Sequence, residues 1–462
     1  MKEIIKKKIQ PYGARLISSN GVLKVKRRLQ AVQRKLLGRS HHIEIYLRIN
    51  DPYSYLLVQV LADFELRFNV TMEFRTILNL QQDMYPEAEM WHDNGFLDAT
   101  HLADLYQLEW PREAPNDKED VKDTASKQHQ KSSQLLLALE AQGRENNSVD
   151  WAAVEAVFEQ YWFQQPFNDL AQRLSADGKP CGAELTESVI DQHLLANEKR
   201  LADKGHYMSA MLKYAGEWYW GLDRLDHLEK RLLQLGLGQN TDVRFDKTYS
   251  EFCKRQALSA ANPSLKKLTL YFSIRSPYSH LGLQQAITLA EHYQLELEVK
   301  PVLPMIMRGL SVPDTKKMYI FHDTKREAEK LNIEYGFVAD PLGEGVNRCY
   351  SLFKYAQTLG KETDYLLNYA QAVNAQGIHS DTDAGLKEIV ERTGLNWEHA
   401  KQLLEQEGRD QQWQIWAEQN REEMVSLGSW GVPTFQYDDL VLWGQDRAGL
   451  IERKILQELN ED

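Results

Sequence analysis

The chain has 462 residues, 42% of them hydrophobic and 26% charged, with a net charge of −12. That length exceeds what one hydrophobic core organises and suits two or three domains. No stretch approaches the roughly 20 apolar residues that cross a bilayer, and the opening Met-Lys-Glu-Ile-Ile-Lys-Lys-Lys has no apolar segment behind its charges, unlike a secretory signal.

Cysteine usage narrows the chemistry. Cys181, Cys253 and Cys349 lie 72 and 96 residues apart, a spacing that excludes a disulfide framework, a Cys-x-x-Cys redox pair and a cysteine zinc site. A reducing, cytoplasmic compartment is the expectation.

Residues 1–40 form a basic N-terminal extension. They hold 12 Lys/Arg and one acid, Glu3, a sum of +11 that leaves −23 on the remainder. Such an arm suits a peripheral membrane surface, RNA or an acidic partner. The alternative is a solvated extension packed on the acidic body. Tyr12 is the only aromatic residue among the charges, so the solvated extension is favoured, and no nucleic acid is expected as a partner.

The next segment reads as a strand. Ile43, Ile45, Leu47 and Ile49 alternate with period 2. Asp51 then sits at a helix N-cap and Pro52 in the first turn, where no backbone N–H is needed. Val70, Met72 and Phe74 give a second strand, so the segment is a βαβ unit with parallel strands. A long helical stretch follows, interrupted by a polar surface loop around Pro111–Ser133. Residues 205–224 close this part, and 240–265 read as a linker.

The pattern then repeats. Leu268, Leu270, Phe272 and Ile274 alternate as a strand, 225 residues after the first. Tyr-Leu-Arg-Ile-Asn-Asp-Pro-Tyr-Ser at 46–54 becomes Tyr-Phe-Ser-Ile-Arg-Ser-Pro-Tyr-Ser at 271–279. Leu281, Ala286, Ile287, Ala290 and Tyr293 fall at helical spacing, and Leu295, Leu297 and Val299 form the parallel strand. Helical patterns at Leu352–Leu359 and Trp397–Trp416 lead to Gly428-Ser-Trp-Gly-Val-Pro-Thr-Phe, a hairpin turning at Asp438-Asp439, and Trp-Gly-Gln-Asp-Arg at 443–447 before a closing helix from about Asp446 to Leu456. Gly428, Tyr437 and Trp443-Gly444 match Gly205, Tyr214 and Trp220-Gly221 at a spacing of 223, while Pro433 answers to Ala210.

Together these motifs resemble the DsbA-like thioredoxin superfamily, in its 2-hydroxychromene-2-carboxylate isomerase and kappa-class glutathione transferase branch. The resemblance covers most of 266–462 and, in degraded form, 41–239. It implies an α/β fold of two tandem thioredoxin-like domains, each interrupted by a helical insertion. It implies a glutathione cofactor, with Ser276 as the thiol-activating serine and Pro433 as the cis-proline. The Val432 backbone is then left unpaired, facing the helix tip and the cysteinyl unit. Gln445 and Asp446 match the segment that holds the γ-glutamyl end. The family often carries an asparagine after the second strand; here Ser311 is the nearest polar residue, which puts the glycyl-end contacts in question. Relatives form homodimers, so the two copies are expected to mimic a dimer within one chain or to pair as a homodimer.

The physics at Ser276 agrees with this reading. A helix N-terminus presents free N–H groups and partial positive charge, and stabilises a thiolate. With serines at 276 and 279 the sulfur must come from a ligand. Asp51, in the other copy, would repel it. The expected activity is that of a glutathione-dependent isomerase or transferase acting on a small electrophile, with disulfide exchange disfavoured. The alternative is a non-catalytic binding or assembly protein. Tyr278 and Arg447 recur in both copies and read as structural, helix capping rivals ligand binding for Asp446, and Arg275 reads as an exposed strand-end residue. His322, His379 and His399 are too dispersed for a metal motif.

Overall fold

Two four-stranded sheets organise the described residues, and both have the same strand order. The structure is a computed structural model that describes residues 2–85, 87–115, 122–166, 170, 173–174, 185–250 and 265–461. The chain divides into two units, one of residues 26–85 and 95–247, the other of residues 1–25, 86–94 and 248–462. The linker expected at 240–265 lies largely outside the described residues. Its first part, to Phe245, packs on the first sheet's unit, with the Arg244 and Phe245 amides donating to Glu229 at 2.8 and 3.1 Å.

The arm is helical, as α1 (Lys2–Ile17) and α2 (Asn20–Leu36). The first sheet follows with β1 (His42–Arg48), α3 (Pro52–Arg67) and β2 (Thr71–Ile77). Next come the inserted helices α4 (Ala88–Tyr106), α5 (Lys122–Asn146), α6 (Trp151–Trp162) and α7 (Glu187–Asp203). The hairpin β3 (Met211–Tyr214) and β4 (Glu217–Trp220) completes the first sheet, and the helix α8 (Leu225–Gln234) follows it. The polar loop expected at Pro111–Ser133 is helical from Lys122, and Ser132 and Ser133 are buried. Its Lys, Gln and Ala are good helix formers, and the buried run Leu135–Leu139 anchors that helix in the core.

The second sheet repeats the plan: β5 (Leu268–Phe272), α9 (Pro277–Tyr293) and β6 (Leu297–Pro301), then inserted helices from α10 (Asp314–Leu331) and α11 (Glu344–Thr358) through α12 (Glu362–Ala375), α13 (Asp383–Arg392), α14 (Trp397–Asp410) and α15 (Trp413–Ser426). The hairpin β7 (Thr434–Tyr437) and β8 (Leu440–Trp443) and the helix α16 (Ala448–Glu461) close it.

Register is shared as well as order. Ile43 faces Met72 and Tyr214; Leu268, 225 residues on, faces Leu297 and Tyr437. Met211 faces Trp220 as Thr434 faces Trp443. In both sheets the outer pair across from the hairpin is parallel. The alternation that marks β1 in the sequence conceals one feature: Glu44 and Tyr46 are buried along with Ile43, Ile45 and Leu47, because helices cover both faces of this central strand. Glu44 stays charged there. Burial pushes its carboxyl up, but bonds from Lys204 and Arg200 outweigh that and hold it below its ordinary value.

Candidate functional site

The site is built where β5 gives way to α9. Ser276 is the N-cap of α9: its Oγ accepts the Ser279 amide at 3.2 Å, with Pro277 in the first turn. The Ser279 hydroxyl is turned inward and accepts the Ser273 amide at 3.3 Å. These bonds leave Ser276 half-buried at the positive end of a 17-residue helix.

Val432-Pro433 faces it. The peptide between these residues is cis, and the Val432 carbonyl oxygen lies 3.4 Å from Ser276 Oγ, accepting its hydrogen. That carbonyl, expected to be unpaired, therefore has a long and weak partner in the serine itself. Pro433 packs tightly on the helix. A Cβ at Gly282 would come within 2.9 Å of the proline ring, so only glycine fits there without a shift. In the other unit Leu57 holds the position of Gly282, and Ala210 that of Pro433.

Asp51 takes the place of Ser276 in that unit, and its Oδ2 receives both the Ser54 amide at 3.0 Å and the Ser54 hydroxyl at 2.7 Å. It is 2% exposed, so a buried carboxylate fills the helix end that a ligand anion would use. A second correspondence is spatial. Tyr278 donates to Asp323 at 2.7 Å and Tyr53 to Asp98 at 2.8 Å, each acid again 225 residues from its counterpart. Asp323 and Asp98 are both buried, which gives the recurring tyrosine a packing role.

Gln445 and Asp446 lie in the 3-10 turn Gln445–Arg447 ahead of α16. Gln445 is 2% exposed, and its amide donates to Glu327 at 2.9 Å and to Asp446, while its own oxygens receive Gln285 at 3.0 Å. Its side chain is thus engaged within the fold, and Asp446 beside it is half-buried. Ser311 is exposed, in the loop between the turn Met305–Arg308 and α10. Arg275, expected to be an exposed strand-end residue, is half-buried, and its guanidinium forks onto Asp340 with two bonds of 2.8 Å.

The sequence gives Arg308 no role. It is half-buried and its Nε meets no partner among the described residues. Burial and the nearby Arg421 lower its pKa, against the opposing fields of Glu418 and Glu87. Because β5 and β6 run parallel, Ser276 and Arg308 follow strands that end at the same edge of the sheet, the edge where open α/β sheets take ligands. A lone arginine after a strand gives no sequence signal.

No resident sulfur competes for the chemistry among the described residues. Cys349 is buried, and burial pushes its thiol well above the ordinary value. Cys181 and Cys253 lie outside the described residues. No group of three or more His, Cys, Asp or Glu that could hold a metal occurs among the described residues.

Residues 267–456 match the DSBA-like thioredoxin domain family. No curated protein matches the sequence. Among solved structures, the chain is similar to a 2-hydroxychromene-2-carboxylate isomerase, at 22% identity and a TM-score of 0.37 over 42% of this chain and 96% of that one. It is similar to the cytosolic disulfide reductase DsbM from Pseudomonas aeruginosa, at 16% and 0.29 over 41% and 98%. A thioredoxin-like oxidoreductase from Silicibacter pomeroyi DSS-3 gives 15% and 0.27 over 44% and 95%. The C-terminal part carries a thioredoxin-like DsbA fold.

Proposed function

We propose that the C-terminal unit binds glutathione at the amino end of α9 and serves as an isomerase or transferase for a small electrophilic substrate. One observation carries this reading. A serine hydroxyl, not a cysteine, stands half-buried at that helix end, and across the cleft it makes, among the described residues, one 3.4 Å bond to Val432. A bond so long is readily exchanged for one to a ligand.

The residues suit such a ligand. Ser276 would donate its hydrogen to a sulfur anion, and the positive end of the α9 dipole would add favourable potential. The Val432 backbone would align an extended peptide beside β7. Asp446 would meet the γ-glutamyl ammonium, with Gln445 holding it in place through their hydrogen bond. Ser311 and the unpartnered Nε of Arg308 are the groups available for a carboxylate. Glutathione would supply a nucleophilic thiolate for addition to the electrophile. Lowering a thiol pKa by about two units requires about 2.7 kcal/mol, a reasonable share for one helix end and one hydroxyl.

We read the two units as copies of one ancestral domain, on the strength of their common sheet order and register. The first has lost the thiol site through Asp51 and Ala210.

Calorimetry with glutathione tests the proposal. Wild type should bind, and Ser276→Ala should lose the thiolate absorbance of the bound ligand. Absence of heat at millimolar glutathione removes the idea. A second reading, a non-catalytic peptide-binding or assembly protein, draws on the internal engagement of Gln445. A partner captured equally by wild type and Ser276→Ala, with no glutathione heat, favours it.

A further inference from the structure

The helix α2 belongs to neither sheet, and none of its side chains is buried. One side rests on the fold, where Arg27 forks onto Glu217 with two bonds of 2.8 Å and Gln30 lies over Gly216. The opposite side is apolar and open. Val25, Leu29, Val32 and Leu36 follow one another at spacings of four, three and four, which places them in one stripe. They are 55%, 64%, 54% and 81% exposed, and Leu37 continues the patch. A helix that only needed to dissolve would carry charge there. Instead the charge flanks the stripe, with Arg28 and Lys35 along one edge and Lys26 along the other. None of these three has an ion-pair partner among the described residues.

A second feature lies in the unit that holds residues 26–36 of this helix. Beside the C-terminal half of α2 opens a cavity of about 690 Å³ whose lining includes Arg27, Arg34, Arg39, His41 and Arg231. Glu217 answers Arg27 and Arg231. Arg34 and Arg39 have no acidic partner among the described residues, and the Arg34 guanidinium reaches only the Arg39 carbonyl, at 3.4 Å. His42, also on the lining, is bonded to Glu73.

We infer that α2 is an interfacial helix that docks the protein on an anionic lipid surface. Its stripe enters the acyl boundary, while Lys26, Arg28 and Lys35 meet headgroup phosphates and Arg34 and Arg39 offer a recessed phosphate site. The chemistry selects this occupant over others. An apolar stripe between basic rows is the pattern of helices that lie in the plane of a membrane. A second copy of α2 would set basic rows against basic rows. A soluble phosphate could use the cavity but leaves the stripe uncovered. The arm is +11 and the remainder −23, so an anionic surface attracts this face and repels the rest. No helix among the described residues is long and apolar enough to cross a membrane, so α2 lies on the surface. The inference is independent of the thiol site.

Flotation of the full chain with vesicles tests it. The chain should float with phosphatidylcholine vesicles containing about one-third phosphatidylserine, roughly tenfold more than with phosphatidylcholine alone. The double substitution Arg28→Glu with Lys35→Glu should reduce flotation roughly tenfold while leaving the stripe intact. Leu29→Ser with Val32→Ser and Leu36→Ser should abolish it, with unchanged circular dichroism, because all three side chains are exposed. Inorganic phosphate at concentrations that leave ionic strength matched should not release the protein. Equal flotation with both vesicle types, none with either, or flotation unmoved by both variants overturns the inference. So does a concentration-dependent doubling of mass that the serine variant prevents, which would give the stripe to a second copy.

Discussion

Ser276 and Val432 meet across the cleft with the serine hydroxyl 3.4 Å from the carbonyl oxygen, and the same hydroxyl caps α9 by accepting the Ser279 amide. A sulfur placed at this atom's position would feel the same helix end. The Ser276→Cys variant should therefore carry a thiol that ionises below the ordinary value of about 8.5. Thiolate absorbance followed against pH measures it, and alkylation rates give an independent check. A thiol at or above the ordinary value would mean that this helix end does not stabilise sulfur anions, and the glutathione proposal would lose its physical basis. The corresponding Asp51→Cys in the other unit should ionise no more easily than an ordinary thiol, since that position is 2% exposed and burial opposes the charge.

Gly282 is fixed by its neighbour. With Pro433 Cβ and Cγ both 2.9 Å from where a methyl would stand, Gly282→Ala should destabilise the C-terminal unit by about 1–3 kcal/mol, as overpacking does. Chemical denaturation read at that unit's transition would show it. Adding Pro433→Ala should recover part of the loss, because the first unit pairs a large Leu57 with a small Ala210 at these positions. An unchanged midpoint in the single variant would show that helix and loop can part freely.

Tyr278 and Tyr53 make the same bond to buried acids, and the predicted consequence separates packing from catalysis. Tyr278→Phe and Tyr53→Phe each remove a donor from a buried carboxylate and should each cost about 1–3 kcal/mol. Neither should change the heat of glutathione binding. A loss of binding confined to Tyr278→Phe, at unchanged stability, would move that hydroxyl into the site.

The sheet and its first helix were legible because their signals are local. Period 2 at Leu268–Ile274, a proline at the first helical turn and a serine before it each act over a few residues, and β5, α9 and the N-cap follow from them. The hairpin turn at Asp438-Asp439 was legible for the same reason, with Asp438 at φ 53° between β7 and β8. What sequence could not give depends on distant partners. Gln445 looks like a free polar residue until Glu327, 118 positions away, takes its amide. Arg275 looks exposed until Asp340 accepts both its donors. The open stripe on α2 has the same cause: charge counting sums over all sides of a helix, and only the fold shows which side is left open.

Acid should weaken the protein through its buried histidines before its carboxylates titrate. His280 is 1% exposed on α9, with Nε2 3.0 Å from the Glu334 carbonyl, and burial lowers its pKa to about 4. His206, in the other unit, is lowered to about 3 by burial and then by Lys213. Both are neutral in the folded chain and take up a proton on unfolding at any pH below about 6.5. The unfolded state thus binds more protons, so stability rises with pH across this window and falls as pH drops from about 6.5 toward about 4, by roughly 1.4 kcal/mol per pH unit for each histidine. Glu73 adds to the loss only lower down. Burial raises its pKa, but His42 and Arg75 outweigh this and hold it at about 2, so its contribution goes as pH falls below the carboxylate range. Denaturation midpoints measured between pH about 7 and about 5 should decline, and His280→Gln should flatten the decline in the C-terminal unit alone. A flat profile in wild type would mean that the folded chain protonates these imidazoles as readily as water does, and that the helix carrying Ser276 opens far more easily than its packing indicates.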